Sequence, residues 1–263
     1  MKNNSVFFLL LIILPIPGVF CQETQNDWMI FIHIESGLMY PNSKIRKSIP
    51  IRQNVSSYIV DQVSYGEISS ETNGYLFGVR YGYFNDKFRA GISSGLRYTN
   101  FNTEIKGYSS YGTDFYYLRY SMVGSDTKFA RVRTISETNN FISVPVELRY
   151  VPIQFEKIGF YVKAGAEFSY FNIQSKTDID FREESMEEYQ DEILNNITAP
   201  TNRFYSTLYG SFGIVYGKEG RPKVMFDFSV PSRFLGKNNF ALTKADYFQA
   251  FTLSLQIPIS PIK

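Results

Sequence analysis

Cysteine and histidine are almost absent from this chain of 263 residues, which contains one of each, Cys21 and His33. A fold without disulfides must be held together by its hydrogen bonds, its packing and its charges. One histidine and one cysteine also fall short of the donor set of a zinc or other soft-metal site. We therefore expect no cofactor.

Long hydrophobic runs are missing beyond the N-terminus. The apolar stretch from Val6 to Ile16 is too short and too closely followed by prolines for a membrane anchor, which needs about 20 apolar residues. Lys2 precedes it, and Cys21 ends a segment that suits signal peptidase. We predict a cleaved secretory signal peptide over residues 1–21 and a single exported domain over residues 22–263.

An excess of charge of one sign is also lacking, because the formal net charge is +2 and no basic stripe occurs. This balance argues against nucleic acid as a partner. Aromatic residues are abundant instead, with 20 Tyr and 24 Phe.

Apolar and polar residues alternate with a period of two in eight segments, which is typical of strands with one apolar face. The segments cover residues 28–40, 74–84, 88–101, 142–150, 160–170, 203–217, 223–230 and 247–258. Short connections alternate with long ones, at about 41–73, 102–139, 173–202 and 231–246. This predicts an all-β fold: an eight-stranded antiparallel up-and-down transmembrane β-barrel with short periplasmic turns and long extracellular loops in the bacterial outer membrane.

Alternation alone does not say which face points outward, since a soluble lipocalin-type barrel has its apolar face inside. Here the polar face is rich in glycine and carries both charge signs, while aromatic residues cluster at strand ends on the apolar face, as in membrane girdles. Buried charges persist when they are paired. We predict a structural charge network in the lumen, formed by Glu35, Arg80, Arg89, Arg97, Glu147, Arg149, Lys163, Glu167 and Asp227.

One hairpin carries a family resemblance. Residues 144–150 read VPVELRY, and residues 164–167 read AGAE after a short connection. This pattern resembles the PorT-like, Bacteroidota-type outer-membrane β-barrel family, a porin family of small barrels. The resemblance implies the same barrel fold and an accessory role in a secretion or envelope assembly. The chain departs from such barrels at its end, because residues 259–263 follow the last strand where many of them finish on an aromatic residue.

Catalysis is not predicted. His33 is the only histidine that could act as a general base, and no serine is spaced so as to form a catalytic triad with it. We expect a non-enzymatic barrel whose partners are outer-membrane lipid and other envelope proteins. The alternatives are a lumen-active lipid enzyme, a narrow pore and a soluble exported lipid-binding barrel.

Two long loops are candidates for partner contact. The second contains many tyrosines, a residue favoured at interfaces, and the third is strongly acidic with apolar residues at helical spacing over residues 183–194. The candidate contact residues are Tyr111, Tyr116, Tyr117, Tyr120, Glu183, Glu184, Glu187 and Glu188.

Overall fold

The computed structural model describes residues 28–46, 67–108, 115–121, 127–198, 204–218, 220–235 and 240–259. The predicted signal peptide lies outside these residues. Ten strands occur in this part of the chain: β1 Trp28–Ile45, β2 Glu67–Asn85, β3 Ala90–Tyr108, β4 Tyr116–Ser121, β5 Thr127–Gln154, β6 Ile158–Phe181, β7 Phe204–Tyr216, β8 Lys223–Ser229, β9 Ser232–Phe234 and β10 Thr243–Pro258. A 3₁₀ turn over Glu184–Tyr189 leads into one α-helix, α1, over Gln190–Ile197.

Eight of these strands form a closed antiparallel ring in the order β1, β2, β3, β5, β6, β7, β8 and β10. The ring closes because β10 pairs with β1 along fifteen residue pairs, from Phe31 opposite Pro258 to Ile45 opposite Thr243. Closure leaves no sheet edge at the level of the ring, as a membrane-spanning sheet requires. The predicted eight-stranded up-and-down barrel is confirmed.

The outer wall of the ring is apolar. Large hydrophobic side chains on alternate residues are exposed on every strand of the ring, among them Phe77, Leu96, Leu148 and Leu253. On β1 this surface runs from Trp28 to Tyr40, which is about 40 Å along the strand and about 30 Å across at a tilt near 40°. That height matches the hydrocarbon thickness of a bilayer. The architecture is that of a transmembrane β-barrel.

The short turns, at residues 86–89, 155–157 and 217–222, lie at one end of the barrel. In the first of them Phe88 N–H donates to Asn85 Oδ1 at 2.9 Å, and Arg89 adopts a positive φ of 52°. Such Asx-type geometry ends a strand within a few residues.

At the long-loop end, β2, β3, β5 and β6 continue beyond the ring. Residues predicted as loops, at 67–73, 102–108, 127–139 and 173–181, are strand in the structure. β4 pairs with the far end of β5, from Tyr116 opposite Val132 to Ser121 opposite Thr127. We call this projection, together with α1, the cap.

Candidate functional site

A layer of ion pairs crosses the middle of the lumen. Glu35 on β1 is 1% exposed and lies 2.7 Å from Arg80 Nη2 and 2.8 Å from Arg97 Nη2. Glu147 on β5 also pairs with both arginines, at 3.1 Å from Arg97 Nη2, and accepts a hydrogen bond of 2.6 Å from the Tyr209 hydroxyl. Arg97 makes a further bond to Glu167 on β6. Ion pairs thereby link five strands through the barrel interior, and the Tyr209 hydrogen bond adds a sixth, β7.

Lys163 extends this layer towards β8. Its Nζ lies 2.9 Å from Asp227 Oδ1 and 3.4 Å from Glu147 Oε2. Asp227 also accepts a bond of 3.0 Å from the Thr252 hydroxyl on β10. A buried charge is tolerated when it is paired and hydrogen-bonded, and this layer satisfies that condition for four carboxylates.

Arg149 lies nearer the short-turn end and is held differently. Its guanidinium donates to Gln256 Oε1 at 2.9 Å and stacks between Phe84 and Phe31, at 4.7 and 5.2 Å from the ring centroids. No carboxylate of the described residues lies within ion-pair distance of it. Phe84 and Phe31 therefore supply cation–π contacts where the sequence led us to expect a charge partner.

Arg89 is not part of the lumen network, and the structure corrects this assignment. The residue stands in the first short turn, exposed to solvent, where its Nη1 reaches Pro152 O at 3.4 Å. The predicted segment begins at residue 88, two residues before the strand, and Arg89, with its positive φ, belongs to the turn that precedes Ala90.

Small residues make room for the charge layer. A Cβ added at Gly78 would lie 2.7 Å from Glu35 Oε1, and one added at Gly165 would lie 2.7 Å from the Tyr209 ring. Both contacts are shorter than van der Waals contact allows, so the long side chains of the neighbouring strands occupy space that these glycines leave open.

Apolar layers fill the lumen on either side of the charges. At the long-loop end an aromatic cluster is buried and packed edge to face, with Phe101 and Phe240 at a centroid distance of 5.4 Å. Its rings are Phe101, Phe141, Tyr205, Phe234, Phe240 and Phe248. At the short-turn end Phe31, Phe84, Val151, Tyr161 and Met225 form a second cluster.

Two cavities in the described lumen are small. One of about 30 Å³ lies beside Lys163, Glu167 and Tyr209, and another of about 10 Å³ lies beside His33 and Arg149. Since a water molecule needs roughly 10–15 Å³ of such space, the first has room for about two waters and the second for about one. The lumen, as far as the structure describes it, is largely filled by packed side chains.

The segment over residues 240–242 closes the long-loop mouth and is held from two sides. Glu137 on β5, 0% exposed, accepts the backbone N–H groups of Ala241 at 2.7 Å and Leu242 at 2.9 Å. From the opposite side the Arg46 guanidinium donates to Phe240 O at 2.6 Å and to Thr243 O at 3.1 Å. Sequence reasoning missed these residues because they lie in stretches predicted as loops. A lone glutamate among polar residues gave no signal of its own.

The cap has its own hydrophobic core. Leu118, Val132 and Ile135 are fully buried between the extended strands, and Ile193 and Ile197 of α1 pack onto them. The helix predicted over residues 183–194 is therefore present, slightly later in the chain, as the 3₁₀ turn and α1. Its apolar face is used to close the cap, which leaves the acidic face exposed.

The tyrosines predicted to contact a partner differ in how far they are exposed. Tyr116 is 5% exposed within the cap core, so it is not available to a partner, and burial raises the pKa of its hydroxyl above the ordinary value. Tyr117 is half-buried against Phe115, at a centroid distance of 5.6 Å. Tyr111 lies outside the described residues, as does the side chain of Tyr120.

The acidic candidates lie on the surface of the cap. Glu184, Glu187 and Glu188 are exposed, whereas Glu183 is half-buried and pairs with Arg131 of β5. This pair fixes the start of the helical segment to the extended sheet. Three of the four predicted contact carboxylates thus remain accessible.

His33 is buried in the lumen beside Phe31, and its Nδ1 has no hydrogen-bond partner. Within the described ranges no cluster of His, Cys, Asp or Glu is arranged as a metal site. Among the helices that the structure describes, none has the length and apolarity needed to cross a membrane.

Comparisons with known proteins show little. No family model matches the chain, and no curated protein matches it. Among solved structures, the outer membrane protein OprG from Pseudomonas aeruginosa aligns with a TM-score of 0.39 and 11% identity over 88% of this chain and 93% of that one. The transport unit of the autotransporter AIDA-I from Escherichia coli aligns with a TM-score of 0.26 and 6% identity over 98% of both chains. Similarity at this level carries no argument, so the class of transmembrane β-barrels is assigned from the closed strand ladder and the apolar wall described above.

Proposed function

We propose that this protein is a non-conducting, non-enzymatic outer-membrane β-barrel that acts through its cap as an accessory or scaffolding subunit of an envelope or secretion assembly. The PorT-like resemblance of residues 144–167 favours the secretion branch of this proposal. The observation that carries the proposal is the contrast between a lumen filled by packed side chains and a folded projection that stands beyond the membrane band.

The cap is proposed as the partner surface because it buries its apolar residues in an interior core and exposes its carboxylates. Glu184, Glu187 and Glu188 project from one short helical segment that is fixed by Ile193 and by the Arg131–Glu183 pair. A rigid acidic surface suits a basic partner, because electrostatic complementarity speeds encounter and selects against partners of like charge.

Capture from native membranes tests this role. A tagged full-length chain is expected to copurify with a partner, and the E184Q/E187Q/E188Q variant is expected to lose that partner while remaining in the membrane. Glu156→Gln, an exposed carboxylate on a short turn at the other end, serves as the matched control and should retain it. A chain that is always isolated alone, or a partner that survives the triple substitution, would count against the cap.

The pore alternative is tested by conductance. The purified protein in a planar bilayer is expected to give no steady ion current, because packed side chains fill much of the described lumen and the two cavities described above have room for only one or two waters each. A stable open level in the unmodified chain would refute the non-conducting part of the proposal.

The enzyme and soluble-barrel alternatives have separate tests. His33→Ala is expected to leave the cellular phenotype unchanged, since the imidazole Nδ1 has no hydrogen-bond partner that could orient it as a general base. The purified chain is expected to need detergent and to show a heat-dependent shift in gel mobility. A monodisperse protein without detergent would overturn the membrane location.

A further inference from the structure

We propose that one side of the barrel, just above its apolar wall, binds the anionic phosphate of membrane lipid headgroups. This surface, the rim patch, consists of Lys44 on β1, Lys244 on β10 and Arg233 on β9, all of them exposed. The inference rests on the membrane location proposed above and goes beyond it by assigning a lipid class to a particular stretch of wall.

The position of the rim patch follows from the strand register. Arg233 stands opposite Tyr247, and Tyr247 stands opposite Asn42, to which it is also hydrogen-bonded. Tyr247 and Tyr40 end the apolar wall on these strands, each 43% exposed. Aromatic residues of this kind mark the headgroup level of a bilayer, so the cations lie at and just above that level.

A β-bulge places Lys244 on the outer face. The register of β1 with β10 shifts between Asn42 and Ser43, so that Asp246 and Tyr247 both stand near Asn42 and both are exposed. If β10 alternated strictly through Asp246, with no bulge, Lys244 would face the interior. A bulge is a common means of re-aiming a side chain.

The bulge brings two like charges face to face. Lys44 and Lys244 are directly opposite each other in the ladder, an arrangement that destabilises a strand pair in the absence of a counterion. Lys244 has one carboxylate partner, Asp246 at 3.0 Å. Within the described residues neither Lys44 nor Arg233 has a carboxylate at ion-pair distance. An anion at this surface would relieve the repulsion.

The wall at β3 differs at the same height. Above Tyr98 on β3, the alternating positions are Asn100, which is buried, and then Asn102 and Glu104, and the first cation, Lys106, is four such positions above the tyrosine and pairs with Glu104. At the long-loop end, the cations on β1, β9 and β10 therefore lie nearer to the aromatic level than the first cation on β3 does. This asymmetry favours a localised lipid site over a uniform ring of interfacial charge.

The test compares lipid binding by the full chain and by two variants in detergent micelles. Native mass spectrometry would follow titration with anionic phosphatidylglycerol and, separately, with zwitterionic phosphatidylcholine. We expect the unmodified chain to bind phosphatidylglycerol at least tenfold more tightly, and K44Q/K244Q/R233Q to lose that preference, since each cation near an anionic surface contributes about fivefold in affinity. Lys106→Gln is the control and should keep the preference.

Each other outcome decides against the rim patch. Equal binding of the two lipids by the unmodified chain overturns the proposal, and so does a preference that the triple variant retains. Loss of the preference in Lys106→Gln would show that charge anywhere on the rim suffices. Competition by inorganic phosphate alone, at matched ionic strength, would assign the surface to a free anion and would also overturn it.

Folding and location are checked separately. The heat-dependent gel shift of each variant reports whether the barrel is folded, and if the triple variant fails this check, Lys44→Gln and Arg233→Gln are compared singly, each with an expected loss of about fivefold. A folded, detergent-dependent barrel without lipid preference refutes the rim patch alone. A chain that is soluble without detergent refutes the membrane location.

Discussion

Replacing Glu147 with glutamine should destabilise the barrel strongly although the side chain keeps its size. Glu147 is 1% exposed and lies between two arginines, Lys163 at 3.4 Å and the Tyr209 hydroxyl at 2.6 Å. The amide retains one oxygen for the tyrosine but removes the negative charge that three cations share. Loss of one partner from a buried ion pair costs about 3–5 kcal/mol, and the retained hydrogen bond places the expected loss near 3 kcal/mol.

The matched control is Glu104→Gln on the cap. Glu104 is 46% exposed and its ion-pair partner is Lys106, so its loss should cost no more than about 1 kcal/mol. Urea unfolding in lipid vesicles, followed by the fluorescence of the single tryptophan Trp28, measures both variants. If Glu147→Gln unfolds at the same urea concentration as Glu104→Gln, the lumen charges are hydrated and the reasoning from desolvation is wrong.

Two further substitutions probe the facing of β6 and the closure of the mouth. Glu167→Leu should lower the urea midpoint of unfolding more than Phe168→Leu. The first change leaves Arg97 with fewer counter-charges in the lumen, whereas the second changes only an exposed apolar side chain. Equal midpoints would mean that the lumen-facing and lipid-facing residues of β6 are misassigned. Glu137→Ala should free residues 240–242, since two buried N–H groups lose their acceptor at about 1–3 kcal/mol each, and limited proteolysis of intact vesicles should then cut near this segment. An unchanged digestion pattern would show that Arg46 alone holds it.

The barrel could be predicted because the pattern that defines a membrane strand lies within a short stretch of sequence. A strand that faces lipid on one side and a packed lumen on the other must alternate with a period of two, and ranges such as 160–170 show this directly. The alternation of short and long connections then indicates an up-and-down order of the strands. The prediction that Arg89 faces the lumen was wrong because this residue has a positive φ and belongs to a turn, where the alternation is interrupted.

The cap could not be predicted to the same degree, because beyond the membrane the constraint changes. Strand residues there face water on one side and a small core on the other, so Asn102 and Thr138 look like loop residues, although they are opposite each other in a ladder. The acceptor role of Glu137 depends on a segment about a hundred residues away in the chain. Neither alternation nor composition reports a contact of that range.

The cap and the barrel share four uninterrupted strands, and this continuity fixes how far the cap reaches. On β5 the twelve residues between Thr127 and Asn140 form no hinge, although the register shifts within them, and they span about 40 Å along the strand. The acidic surface is therefore held at a set height and orientation above the bilayer, which a flexible linker would not provide. A partner would have to meet it at that height, and a graft of this surface onto another barrel would have to transfer all four strands in register.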